Sequence, residues 1–118
     1  MIKFIEDKEL CIKLKEKGFD EGCILQFRGE DTQPICQMDY ELNYIKNSEI
    51  GDDTNYWLAI PTYCQVTEWL EEKHGFFFER LYNELEKEGF IVWRNKTPIN
   101  LEQYDTINES IMEALKLI

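Results

Sequence analysis

A chain of 118 residues provides one domain's worth of polypeptide and too little for two independent cores of ordinary size. With 43% hydrophobic and 14% aromatic residues, it has the apolar mass to fold unaided. Its 24 Asp and Glu against 13 Lys and Arg leave a formal charge of -11, which removes any general attraction to phosphate backbones or anionic lipid and excludes direct nucleic-acid and membrane-surface binding.

The first eight residues, Met1 to Lys8, lack the basic start, apolar middle and small-residue cleavage site of a secretory signal. No apolar run approaches the roughly 20 residues that span a bilayer. A cytoplasmic setting is therefore expected. Residues 8–17 place Leu10, Cys11 and Leu14 on one stripe, which predicts a helix capped by Asp7 and ended by Gly18 in a left-handed conformation. Cys23 to Arg28 alternates, with Cys23, Leu25 and Phe27 on one face and Gln26 and Arg28 on the other, and predicts a strand. Ile35–Tyr40 and Tyr56–Ile60 are its expected partners. Between them, residues 41–55 are polar, carry Gly51-Asp52-Asp53 as a turn signal and show no apolar period, so a mobile loop is expected there.

Residues 63–74 set Val66, Trp69 and Leu70 on one helical face, behind Thr62 and Gln65 at capping-box spacing and ahead of Gly75 as the stop. Phe76–Tyr82 and Phe90–Arg94 are rich in aromatic and β-branched residues and read as a hairpin. The rival is a short helix over Glu79–Glu88, since Leu81, Tyr82 and Leu85 also fit helical spacing. Residues 107–118 put Ile107, Ile111, Ala114, Leu115 and Ile118 on one stripe, with Thr106 and Glu109 as a capping pair. Three stretches, ending at Phe19, Phe76 and Phe90, run from a leucine to Gly-Phe; a helix or turn that must stop and feed a buried strand calls for that pair. The expected architecture is one α+β domain over 1–118, with about three helices packed on an antiparallel or mixed sheet of four to five short strands.

Three segments carry a resemblance. Lys13-Leu14-Lys15-Glu16-Lys17-Gly18-Phe19-Asp20-Glu21-Gly22-Cys23 is similar to the opening of a family of small uncharacterised proteins of bacteriophages and mobile elements of gut bacteria. Pro61 to Leu70, continuing to Lys73-His74-Gly75, resembles that family's central helix, and Tyr104-Asp105-Thr106 with Glu113-Ala114-Leu115 its closing helix. Gly22 stands where a proline is commoner in the family, and Ser110 where an alanine is usual. The resemblance implies a small α+β fold and supplies no catalytic residues.

Chemistry-bearing residues are sparse. Cys11, Cys23, Cys36 and Cys64 show no Cys-x-x-Cys spacing, and His74 is the one histidine, so neither disulfides nor zinc are expected. Cys64, in the first turn of the second helix, has the best position for a nucleophile, where the helix dipole favours a thiolate. Packing is the competing use of that thiol. A Cys64–His74 pair is excluded, because ten residues of helix separate the two by about 15 Å. His74 before Gly75 fits a C-terminal capping role. Glu71, Glu72, Glu84, Glu86 and Glu88 look like solvated faces, and general-acid work requires a buried carboxyl.

No catalytic, cofactor-binding or metal-ligating set is assigned. A partner surface is expected around Asp52, Asp53, Trp57, Phe77 and Trp93, because consecutive Phe76, Phe77 and Phe78 cannot all face one side of a strand. The expected function is noncatalytic: binding another macromolecule inside the cell, in one version a basic nucleic-acid-binding protein drawn to the acidic middle of the chain. The alternatives are a small enzyme using Cys64 or a buried carboxylate, and a homo-oligomeric component in which Phe77 or Trp93 completes a neighbour's sheet edge.

Overall fold

A computed structural model describes residues 3–27, 35–36, 46–49, 58–82, 88–100 and 103–118, with residues 35, 36 and 49 described by their backbone alone. The elements in chain order are α1 (Lys8–Glu16), β1 (Leu25–Phe27), β2 (Ile35–Cys36), a 3-10 turn (Asn47–Glu49), β3 (Leu58–Ile60), α2 (Tyr63–His74), β4 (Phe76–Tyr82), β5 (Glu88–Arg94), β6 (Thr97–Pro98) and α3 (Ile107–Leu115). The α+β class agrees with the sequence: three helices combine with antiparallel strands. The strands do not form one sheet, however; they are shared between two, ordered β2-β1-β3 and β4-β5-β6. Local antiparallel pairing accounts for the division, since β4, β5 and β6 follow one another through short connections and pair in that order. The backbone falls into two compact units, Met1–Val66 and Thr67–Ile118, with α2 crossing from one to the other.

In the first unit, the Asp7 carboxylate accepts from the Leu10 N–H at 3.2 Å and starts α1. The helix ends as the sequence predicts. Gly18 adopts φ +90°, its N–H donates to Lys15 C=O at 3.1 Å, and Phe19 N–H donates to Leu14 C=O at 2.9 Å. This pair of bonds is the Schellman arrangement, in which a left-handed residue satisfies the last helical carbonyls. Leu10, Cys11 and Leu14 are buried, and α1 packs on β3. Ile5 N–H donates to Pro61 C=O at 2.8 Å and Tyr63 N–H to Lys3 C=O at 3.1 Å, tying the start of the chain to the entry of α2.

The expected alternation of β1 is not what the structure has. Gln26, predicted to face outward, is 2% exposed, while Leu25 is only half-buried. Burial along β1 therefore does not follow a simple in-out alternation: Gln26 and Phe27, neighbours on opposite faces, are both buried. Of the stretch expected to be a mobile loop, 46–49 is described, and it is anchored. The buried Asn47 side chain donates to Phe19 C=O at 2.8 Å and accepts from Ala59 N–H at 2.9 Å. The Asp20 carboxylate accepts from the Ser48 N–H at 2.7 Å and its hydroxyl at 2.8 Å. Asn47 thereby takes the place of a neighbouring strand for Ala59. The rest of 41–55, and the expected strand residues 28, 37–40 and 56–57, lie outside the described residues.

The α2 capping box forms: Gln65 N–H donates to Thr62 Oγ1 at 3.1 Å, and Thr62 N–H to Gln65 Oε1 at 2.9 Å. Gly75, at φ +73°, ends the helix. In the second unit, the hairpin prevails over the rival helix, with β4 and β5 paired over seven residues each, from Phe76 opposite Arg94 to Tyr82 opposite Glu88. Strand pairing puts Phe76, Phe90 and Val92 on one side, where all three are buried. α3 covers that side: it packs on β5, and Arg94, opposite Phe76, donates to Leu117 C=O at 3.2 Å. Thr106 caps α3 by accepting from Glu109 N–H at 3.1 Å. The helix was expected to reach 118 and ends at Leu115, after which Leu117 N–H turns back to Ala114 C=O at 3.0 Å. Among the described residues, no helix is long and apolar enough to cross a membrane.

Candidate functional site

Side chains alternate across a strand, so the β4–β5 register decides which aromatics are left outside. With Phe76, Phe78 and Arg80 on the α3 side, Phe77, Glu79 and Leu81 face the other way, opposite Trp93, Ile91 and Gly89. Phe77 is 55% exposed; Leu81, Ile91 and Trp93 are half-buried. Glu79 sits between Phe77 and Leu81, and its Oε2 accepts from the Trp93 indole N–H at 3.1 Å. The outer face is therefore an apolar platform of four side chains around one carboxylate. Tyr82, 64% exposed, falls on the α3 side at the strand end, with its hydroxyl donating to Glu88 at 3.2 Å.

The inner face is fastened at its rim by guanidinium groups over the rings directly opposite them. Arg94 stands 4.8 Å from the Phe76 centroid and Arg80 5.6 Å from that of Phe90. Arg80 also approaches Glu88 at 3.7 Å. These contacts join the two strands across the inner face. The β5–β6 turn adds to this: Asn95 and Lys96 both have positive φ, 50° and 70°, the conformation of a type I′ turn, whose twist matches the strands it joins.

Of the five residues predicted to form a partner surface, Phe77 and Trp93 come together as directly opposed neighbours on this platform. Asp52, Asp53 and Trp57 lie outside the described residues. Leu81, Ile91 and Glu79 escaped the sequence reading. The aromatic and β-branched content of Phe76–Tyr82 and Phe90–Arg94 was signal enough for the hairpin, but only the register adds Ile91 and brings Glu79 within reach of Trp93.

The thiol positions divide. Cys11 and Cys23 are buried, as expected of small core residues, and their Sγ atoms each contact a backbone carbonyl at 3.4 Å, of Ile5 and Glu21 respectively. Burial, with the nearby Asp7 charge and the Cys23 thiol, pushes Cys11 up to about 12, and burial with Glu21 does the same to Cys23. Neither is a nucleophile. Cys64 is exposed on the first turn of α2 rather than packed. His74 closes the same helix, with its ring edge-on to Trp69 at 5.0 Å between centroids, so the two ends of α2 keep thiol and imidazole apart. Glu68, Glu71 and Glu72 are exposed on α2. Among the described residues, no group of three His, Cys, Asp or Glu side chains is placed to hold a metal ion.

Comparison with known protein families, with curated proteins and with solved structures returns no match.

Proposed function

We propose that this protein is a noncatalytic binding module that engages a partner protein through the outer face of the β4–β5 hairpin. One observation carries the reading: Phe77 and Trp93, with Leu81 and Ile91, form a continuous, partly exposed apolar face on a hairpin whose opposite side is packed. A few residues dominate binding at protein interfaces and are enriched in Trp, Tyr and Arg, and a platform already ordered by a strand ladder loses little entropy when it docks. The formal charge of -11 favours a basic partner and steers its approach. A cytoplasmic accessory protein, of the kind implied by the resemblance to phage and mobile-element proteins, fits such a role.

The test compares immobilised wild-type protein with Phe77→Glu in capture from a lysate of cells that express it, at low and at high salt. Phe77 is exposed, so the variant keeps the fold, at a cost of about 1 kcal/mol for the lost cross-strand pairing with Trp93. The expected result is a retained protein that is lost with Phe77→Glu and weakened by salt, because exposed charge pairing is screened. Identical retention by both proteins refutes the assignment of this face.

A further inference from the structure

The outer face adjoins the edge of β4. Among the described residues, β4 pairs only with β5, and its other edge carries no paired strand over seven residues. The direction of its backbone groups follows from the ladder. In an antiparallel pair, opposed residues alternate between exchanging hydrogen bonds and facing away from each other. Phe90 exchanges both bonds with Tyr104 at 2.8 Å, and Val92 C=O accepts from Ile99 N–H at 2.9 Å, on the far side of β5. Phe90 and Val92 thus face away from β4, and their opposite residues, Arg80 and Phe78, direct their own N–H and C=O groups out of the other edge of β4.

We infer that this edge accepts an extended segment of the partner protein as an added strand, with a basic side chain placed opposite Glu79 and apolar side chains opposite Phe77 and Leu81. The inference rests on the proposed binding reading and names the chemistry of its partner. Strand addition draws affinity from main-chain bonds and specificity from alternate side chains. On the outer face of β4 the alternate positions read apolar, acidic, apolar: Phe77, Glu79, Leu81. Opposite charges directly across a strand pair are favourable and like charges unfavourable. A carboxylate flanked by apolar side chains therefore selects a Lys or Arg at the centre of an apolar-x-basic-x-apolar segment. The same feature disfavours a second copy in the centred antiparallel register, which sets Glu79 against Glu79.

The probe is a capped heptapeptide, Thr-Val-Thr-Lys-Thr-Val-Thr, compared with the same peptide carrying Glu for Lys, each titrated into the full chain and followed by backbone amide NMR. The Lys peptide is expected to bind at least tenfold tighter, with the Phe78 and Arg80 amides shifted and protected from exchange. Arg80→Pro removes an outward N–H and no β5 bond, so it loses binding by tenfold or more relative to Arg80→Ala, which lacks the same side chain but keeps the N–H. Glu79→Gln keeps an acceptor for Trp93 and narrows the preference for Lys to less than threefold. Equal affinity for the two peptides, no binding of either, equal binding by Arg80→Pro and Arg80→Ala, or shifts away from β4 overturns the inference. So do concentration-dependent shifts of β4 without peptide, which assign the edge to a second copy. If these results fail while Phe77→Glu still abolishes capture, the edge is wrong and the platform stands; if Phe77→Glu changes nothing, the binding reading itself falls.

Discussion

Replacing Asn47 by alanine removes the donor to Phe19 C=O and the acceptor for Ala59 N–H in one step. Ala59 is 2% exposed, so water does not reach its N–H to replace the lost carboxamide. Two hydrogen bonds of about 1 kcal/mol each, with a desolvation penalty of about 1–2 kcal/mol for the stranded N–H, give an expected loss of about 3–4 kcal/mol. Equilibrium urea unfolding measures it: with a slope of about 2 kcal/mol/M the midpoint falls by about 1.5–2 M. Ser48→Ala is the contrast. It deletes a 2.8 Å bond to Asp20 that is solvent-exposed, and its loss stays below about 0.5 kcal/mol. A loss below 0.5 kcal/mol for Asn47→Ala refutes the idea that this side chain substitutes for a strand at the β3 edge.

Gly18→Ala and Gly75→Ala both force an L residue to positive φ, at a cost of about 1–2 kcal/mol. Only at Gly75 does the new Cβ also meet a neighbour, Asn95 Oδ1, so thermal melts should show the larger drop for Gly75→Ala. Lys96→Gly relieves a non-glycine residue at φ 70° in the β5–β6 turn and is expected to raise stability by about 0.5–1 kcal/mol in the same melts. The folded Cys11 and Cys23 thiols hold their protons up to about 12, against an ordinary value of 9.0. Between those limits the unfolded chain binds fewer protons than the folded one, so stability is full below pH 9 and falls as pH rises toward 12. Urea midpoints across that range, with a shallower fall in Cys23→Ala, check the sign. In a Cys36→Ser background, a small alkylating reagent should label Cys64 rapidly and Cys11 and Cys23 only as the chain unfolds.

What the sequence made legible is mostly local. Asp7, Thr62 with Gln65, and Thr106 with Glu109 act within one helical turn of themselves, so spacing alone predicts their bonds. Gly18 and Gly75 likewise end helices where the pattern stops. Gly89 shares the Gly-Phe signature but lies inside β5, where the Gln103 side chain crowds the position a Cβ would take. Nothing near Gly89 in sequence reveals that approach. Asn47 was illegible for the same reason, since its partners are 28 and 12 residues away in a stretch without apolar period. Gln26 misled because alternation assumes one wet face, and the structure buries both Gln26 and Phe27, which point to opposite faces of β1. At the candidate site, Phe77 and Trp93 stood out individually as aromatics. Their pairing, and the setting of Glu79 between apolar neighbours, required the register of two strands.

Site-specific photocrosslinking tests the binding claim most directly. A benzophenone amino acid is placed at Phe77, and in a second protein at Leu117, which is also an exposed large apolar residue but lies at the end of α3. Irradiation in cells is expected to yield a discrete protein adduct from position 77, competed by excess wild-type protein, and none from position 117. No adduct from position 77, or the same adducts from both positions, contradicts a partner seated on the outer face of the β4–β5 hairpin.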